Sequence, residues 1–100
     1  VEVDEVETKR VTLEVPTYRN EGGLARLWPE HYFLQVLVSD DYVTIEGDPA
    51  GLRGLAVQLL SLAEAEVPPG YAEDLEGHLP AELEPGSASL VLLRSFGRSR

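Results

Sequence analysis

The stretch Tyr42-Val43-Thr44-Ile45-Glu46-Gly47-Asp48-Pro49-Ala50-Gly51-Leu52-Arg53-Gly54-Leu55-Ala56 sets a β-rich run directly before a helix start. Tyr, Val, Thr and Ile suit a pleated strand. Asp48 is a preferred N-cap, and Pro49 fits the first helical turn, where its missing N–H is not needed. Beyond it Leu52, Leu55, Ala56, Leu59, Leu62 and Ala63 recur at spacings of three and four, with Arg53, Gln58, Ser61 and Glu64 between them. This pattern predicts a helix whose leucine and alanine stripe packs on a sheet while the polar positions face away. Gly51 and Gly54 each cost about 1 kcal/mol against alanine inside a helix. Either the backbone is closely approached there, or the cost is simply tolerated near the first turn. Pro68-Pro69-Gly70 stops the helix.

Upstream, Tyr32 to Val38 reads YFLQVLV, apolar on both faces except at Gln35. With Asp40 and Asp41 at the turn it forms a hairpin with Tyr42 to Glu46. So apolar a strand should have Phe33 and Leu37 covered, by an N-terminal strand, by the loop around Trp28, or by a dimer or partner interface. Val11, Leu13 and Val15 alternate with Arg10, Thr12 and Glu14, the period of a half-buried strand that ends at Pro16. Val1 and Val3 either continue it or make a separate edge strand. Residues 17 to 30 contain Asn20, Gly22, Gly23 and Pro29 and read as a loop with one helical turn around Leu24 to Trp28, where Trp28 closes an end of the core.

Downstream, residues 71 to 87 would be an unusually long connection without structure. A short extended piece near Gly77 to Leu79 and a type II turn at Pro85-Gly86 are expected. Leu90 to Phe96 is apolar on both faces and reads as a central last strand, and Gly97 to Arg100 as a frayed tail. The expected fold is α+β. A single antiparallel or mixed sheet carries one long helix on one face, in the order β-β-β-α-β, and residues 1–100 form one domain.

Composition excludes more than it identifies. A net charge of −10 and a pI near 4.4 argue against sequence-independent nucleic-acid binding, which needs Lys and Arg to neutralise phosphates. There is no cysteine, so thiolate chemistry and disulfides are excluded. Val1 to Glu7 holds four acids and does not match a secretory signal, so a cytoplasmic protein is the default. No apolar run approaches the roughly 20 residues that cross a bilayer. Between Arg53 and Arg94 there is no Lys or Arg but seven carboxylates, Glu64, Glu66, Glu73, Asp74, Glu76, Glu82 and Glu84, with His78 the only possible cation. Such a segment projects a negative field that attracts a basic partner.

Chemistry is harder to find. His78 with Asp74, Glu76 and Glu82 could hold a metal if folding gathered them, but without Cys, and with only His31 besides, it reads as a surface or hydrogen-bonded histidine. Adjacent Asp40 and Asp41 are turn chemistry before they are an acid–base pair. The serines at 39, 61, 87, 89, 95 and 99 lie in no nucleophile-elbow context, and Glu46 to Gly51 is neither GxGxxG nor a P-loop. The chain therefore reads as non-enzymatic, with no cofactor and no metal.

The run Val43 to Ala56, followed by Leu59-Leu60-Ser61-Leu62-Ala63, Val67-Pro68-Pro69-Gly70, His78-Leu79, Leu83 to Ser87 and Leu90-Val91-Leu92, resembles the small bacterial domain family called immunity protein 32 over about residues 42 to 95. The resemblance implies a binding protein that neutralises a co-encoded toxin. It carries no catalytic residue. Where members have a second polar or histidine position before the His-Leu pair, this chain has Glu76-Gly77, which weakens a role for His78. With a basic toxin domain as partner, the expected binding face is Glu73, Asp74, Glu76, Glu82 and Glu84, with Asp40, Asp41 and His78. The competing expectation is a structural module that homodimerises through the Phe33 and Leu37 face or an open sheet edge.

Overall fold

The computed structural model describes residues 5–77 and 82–97. Strands β1 (Leu34–Ser39) and β2 (Tyr42–Gly47) form an antiparallel hairpin, followed by helix α1 (Pro49–Leu62). Strands β3 (Ala72–Leu75) and β4 (Leu90–Leu93) then pair antiparallel with each other. The class is α+β as expected, but the order is β-β-α-β-β in two small sheets rather than β-β-β-α-β in one.

The two sheets are linked by the chain leading into β4. The Glu84 and Ala88 N–H groups donate to the carbonyls of Leu34 and Val36 at 2.8 and 2.9 Å, and the Val36 N–H donates to Ser87 Oγ at 3.1 Å. The 84–88 segment thus lies along the edge of β1 away from β2. Pro85-Gly86 makes the expected turn there, with Gly86 at φ 89° and the Ser87 N–H donating to the Glu84 carbonyl at 3.1 Å. That turn interrupts the ladder, which is why pairing stops short of one continuous sheet.

Three sequence expectations fail for identifiable reasons. Residues 6–18 form no strand, and Val11 is 66% exposed. Alternation makes a segment compatible with a sheet, but a strand exists only where it pairs, and residues 6–18 pair with no strand among the described residues. Conversely, β3 has the unpromising sequence Ala-Glu-Asp-Leu and forms because Glu73 and Leu75 pair inward with Leu92 and Leu90. The extended piece was expected later, near Gly77 to Leu79, part of which lies outside the described residues. No helical turn forms over Leu24 to Trp28, and β4 stops at Leu93 with β3 as its only neighbour strand among the described residues, so it is not central there.

Helix α1 begins as its sequence dictates. Asp48 Oδ1 accepts the Gly51 N–H at 2.7 Å and the Phe33 N–H at 3.1 Å, while the Asp48 N–H donates to the Phe33 carbonyl at 3.1 Å. One cap residue therefore fixes both the helix and the entry to β1. At the other end the Arg94 guanidinium donates to the Leu62 and Glu64 carbonyls at 2.6 and 2.8 Å, occupying acceptors that the helix leaves open.

The buried face of α1 is not the leucine stripe. It consists of Gly51, Gly54, Leu55, Gln58, Ser61 and Leu62, whereas Leu52, Leu59 and Leu60 are about half exposed. The glycines explain the rotation. The Phe33 carbonyl lies against Gly51, and the Trp28 ring lies where a Gly54 side chain would be. Gln58, fully buried, donates to the Leu27 carbonyl at 2.7 Å and ties the Trp28 loop down. Trp28 stacks on Tyr32 at 5.0 Å between ring centres, closing the core made by Leu24, Leu34, Val36, Leu55, Leu62, Val67, Leu75, Leu83 and Leu92. Phe33 is partly covered, but Leu37 is exposed at 43%.

Candidate partner-binding surface

The acidic segment is organised by two residues from the 24–32 loop. Arg26 Nη1 lies 2.7 Å from Glu82 Oε2 and also donates to the Asp74 carbonyl at 2.8 Å. Tyr32 donates its hydroxyl proton to the Glu82 carbonyl at 2.7 Å. Burial, then the charges of Glu82 and Glu84, push the Tyr32 phenol above its ordinary value, so it stays a donor at all ordinary pH.

Around this pair the carboxylates take different roles. Glu82 Oε1 accepts the Glu76 N–H at 3.1 Å, and Glu76 Oε1 accepts from the Ser89 hydroxyl at 2.8 Å. Asp74 is exposed on the outer face of β3, and Glu84 is half-buried beside β1. Glu76 and Glu82 therefore meet at Arg26, with Asp74 held beside them through its main-chain carbonyl and Glu84 close enough to Tyr32 for its charge to act on the phenol. Compensation by Arg26, from 56 residues away in sequence, was invisible in the charge count of the segment.

Glu73 does not belong to that surface. It points inward from β3 opposite Leu92, is 2% exposed, and neither carboxylate oxygen has a hydrogen-bond partner. Desolvation raises its pKa above 4.5; Arg26 opposes the shift and Glu82 adds to it. The expectation that it contacts a partner is overturned by its burial, which follows from the period of a strand that sequence reading missed.

Asp40 and Asp41 form the two-residue turn between Ser39 and Tyr42, and Asp40 takes the positive φ of 52° that such hairpin turns require at their first position. They are exposed, but lie six residues along β1 from Leu34, where Glu84 docks, a separation of about 20 Å. The hairpin tip is thus separate from the acidic region around Arg26. His78 lies outside the described residues. Among the described residues no group of three or more His, Cys, Asp or Glu is placed to hold a metal ion, and no helix is long and apolar enough to cross a membrane.

Residues 42–95, from β2 through β4, match the family described as Immunity protein 32. No curated protein and no solved structure matches the chain.

Proposed function

The chain belongs to the immunity protein 32 family, and from that premise we propose that it neutralises a toxin by binding it directly, without catalysis of its own. The observation that carries the reading beyond the family is the acidic region that Arg26 anchors, where Glu82 takes both the guanidinium and the Glu76 N–H and the main chain at Asp74 is tied to the same arginine. This surface is suited to a basic toxin domain, since opposed charge accelerates encounter and selects against wrong partners. Asp74 and Glu84 contribute the long-range field. Glu82, half neutralised by Arg26, holds the region in shape. The hairpin tip, Asp40 and Asp41, is a second acidic point of contact for a partner large enough to reach it.

Co-expression with the protein encoded beside it, in a host whose growth that neighbour arrests, tests this reading. The chain should restore growth, and Asp74→Ala combined with Glu84→Ala should weaken the rescue while the fold persists. Wild-type chain that never restores growth refutes the immunity reading. Full rescue by the double variant refutes the surface.

A further inference from the structure

Among the described residues no main-chain hydrogen bond reaches β2 from any strand except β1, so its outer edge is open along its whole length. Open edges are ordinarily guarded by Pro, Lys, a bulge or a covering loop. Among the described residues this one has none of them. Tyr42, Val43 and Ile45 are 75%, 65% and 42% exposed, and Glu46 is the only charged residue of the strand.

We propose that β2 is the interface of a homodimer, in which two copies pair their β2 strands antiparallel about a twofold axis through Thr44. The register follows from self-complementarity. Centred on Thr44, Val43 of one copy opposes Ile45 of the other. Because Ile45 and Val43 already pair with Val36 and Val38, each contact completes a row of four β-branched residues across four strands. Such cross-strand neighbours are what stabilise a sheet. On the opposite face Thr44 meets Thr44, flanked by Leu37 from each copy, and Glu46 meets Tyr42. No like charges are directly opposed within the strand. Moving the axis to Val43 would set Asp41 against Ile45, and moving it to Ile45 would leave Val43 opposite Gly47, so the Thr44 register is preferred.

The β2 edge is the open-edge alternative expected beside the Phe33 and Leu37 face, and it is independent of the acidic surface proposed for the toxin.

Sedimentation equilibrium of the full chain, without toxin, tests the proposal. The expected mass is twice 11.0 kDa, with association tightening as salt screens the repulsion between two chains of charge −10. Val43→Glu should weaken association by about tenfold or more, because it sets a carboxylate in two symmetry-related contacts. Val91→Glu, at an exposed site on β4, should leave it unchanged. Directly opposed residues of antiparallel strands lie about 4.5–5.5 Å apart at Cα, within the disulfide range of about 4.4–6.8 Å. Since the chain has no cysteine, Thr44→Cys should therefore oxidise to a single covalent dimer and Val91→Cys should not. A monomer at every salt concentration overturns the proposal, and so does a dimer indifferent to Val43→Glu or one that Thr44→Cys fails to cross-link.

Discussion

Replacing Gly51 with alanine should destabilise the protein even though alanine is the better helix former. The propensity gain is about 1 kcal/mol. Against it, a Cβ at Gly51 would overlap the Phe33 carbonyl oxygen and lie 2.9 Å from the Phe33 carbonyl carbon, so the obstacle is backbone rather than a mobile side chain. Relieving the overlap means moving α1 away from the start of β1. That motion strains both hydrogen bonds between Phe33 and Asp48, each 3.1 Å long. Each is worth about 1 kcal/mol, and overpacking strain adds about 1–3 kcal/mol. The net expectation is a loss of about 2–4 kcal/mol after subtracting the propensity gain. At Gly54 the nearest atoms are Trp28 Cε3 at 2.6 Å and Cζ3 at 2.9 Å, a ring that can tilt at the expense of its stacking on Tyr32, so the loss should be smaller, about 0–2 kcal/mol. Urea unfolding of both variants measures the difference directly, and each 1 kcal/mol corresponds to about 4–8 °C in Tm for a domain of this size. A Gly51→Ala protein as stable as the parent would refute the close approach of helix and strand.

The buried Glu73 carboxyl predicts a pH dependence. Its folded pKa is raised above 4.5, so its contribution to stability is fully present below that value and is lost as pH rises through the raised one. Glu73→Gln should therefore raise Tm at neutral pH, and the advantage should shrink as pH falls below 4.5; an equal gain at both extremes would contradict the assignment. Asp48 has the opposite sign. The Gly51 and Phe33 N–H groups lower its pKa below 3.8, so its stabilisation persists to acid pH and fades only as pH falls through the lowered value. Asp48→Ala should remove that part of the acid transition, seen by circular dichroism. Arg26→Ala should cost only about 1 kcal/mol directly, because the pair with Glu82 is partly exposed. It should also steepen the loss of stability toward neutral pH by removing the cation that opposes the Glu73 shift. Leu34→Ala, at a site 1% exposed, should cost about 2–5 kcal/mol in denaturant unfolding.

Signals confined to a few neighbouring residues were readable from the sequence. Asp48-Pro49 gave the helix start, Asp40-Asp41 the hairpin turn and Pro85-Gly86 the type II turn, each because a backbone conformation or an orphan N–H group demands particular residues locally. What depended on partners distant in sequence was not readable. The leucine stripe of α1 misled because periodicity reports which residues are apolar, whereas the helix turned toward the side where Gly51 and Gly54 let Phe33 and Trp28 come closest. β3 was missed because its residues have little intrinsic strand preference, and the role of Glu73 was misassigned with it. Nothing in the spacing links Arg26 to Glu82. The only available hint was that an acidic run lacking its own cations needs one from elsewhere if any part of it is to pack.

That borrowed cation also bears on how function is distributed along the chain. The family match begins at Tyr42, so it excludes β1, Arg26 and Tyr32. Yet β1 holds the 84–88 segment in place, and Arg26 and Tyr32 hold Glu82. The matched residues supply the helix junction and the carboxylates Asp74, Glu76, Glu82 and Glu84, while Arg26, Tyr32 and β1 hold the segment that carries Glu82 and Glu84 in place. On the proposed toxin-binding reading, substitutions in the 24–32 loop should alter specificity while leaving the matched scaffold folded. The β2 edge, bearing a single carboxylate, follows the opposite electrostatic rule. Salt should weaken attraction between the acidic face and a basic toxin but relieve repulsion between two copies of the chain. Binding that weakens with salt while self-association strengthens would place the two events on different surfaces.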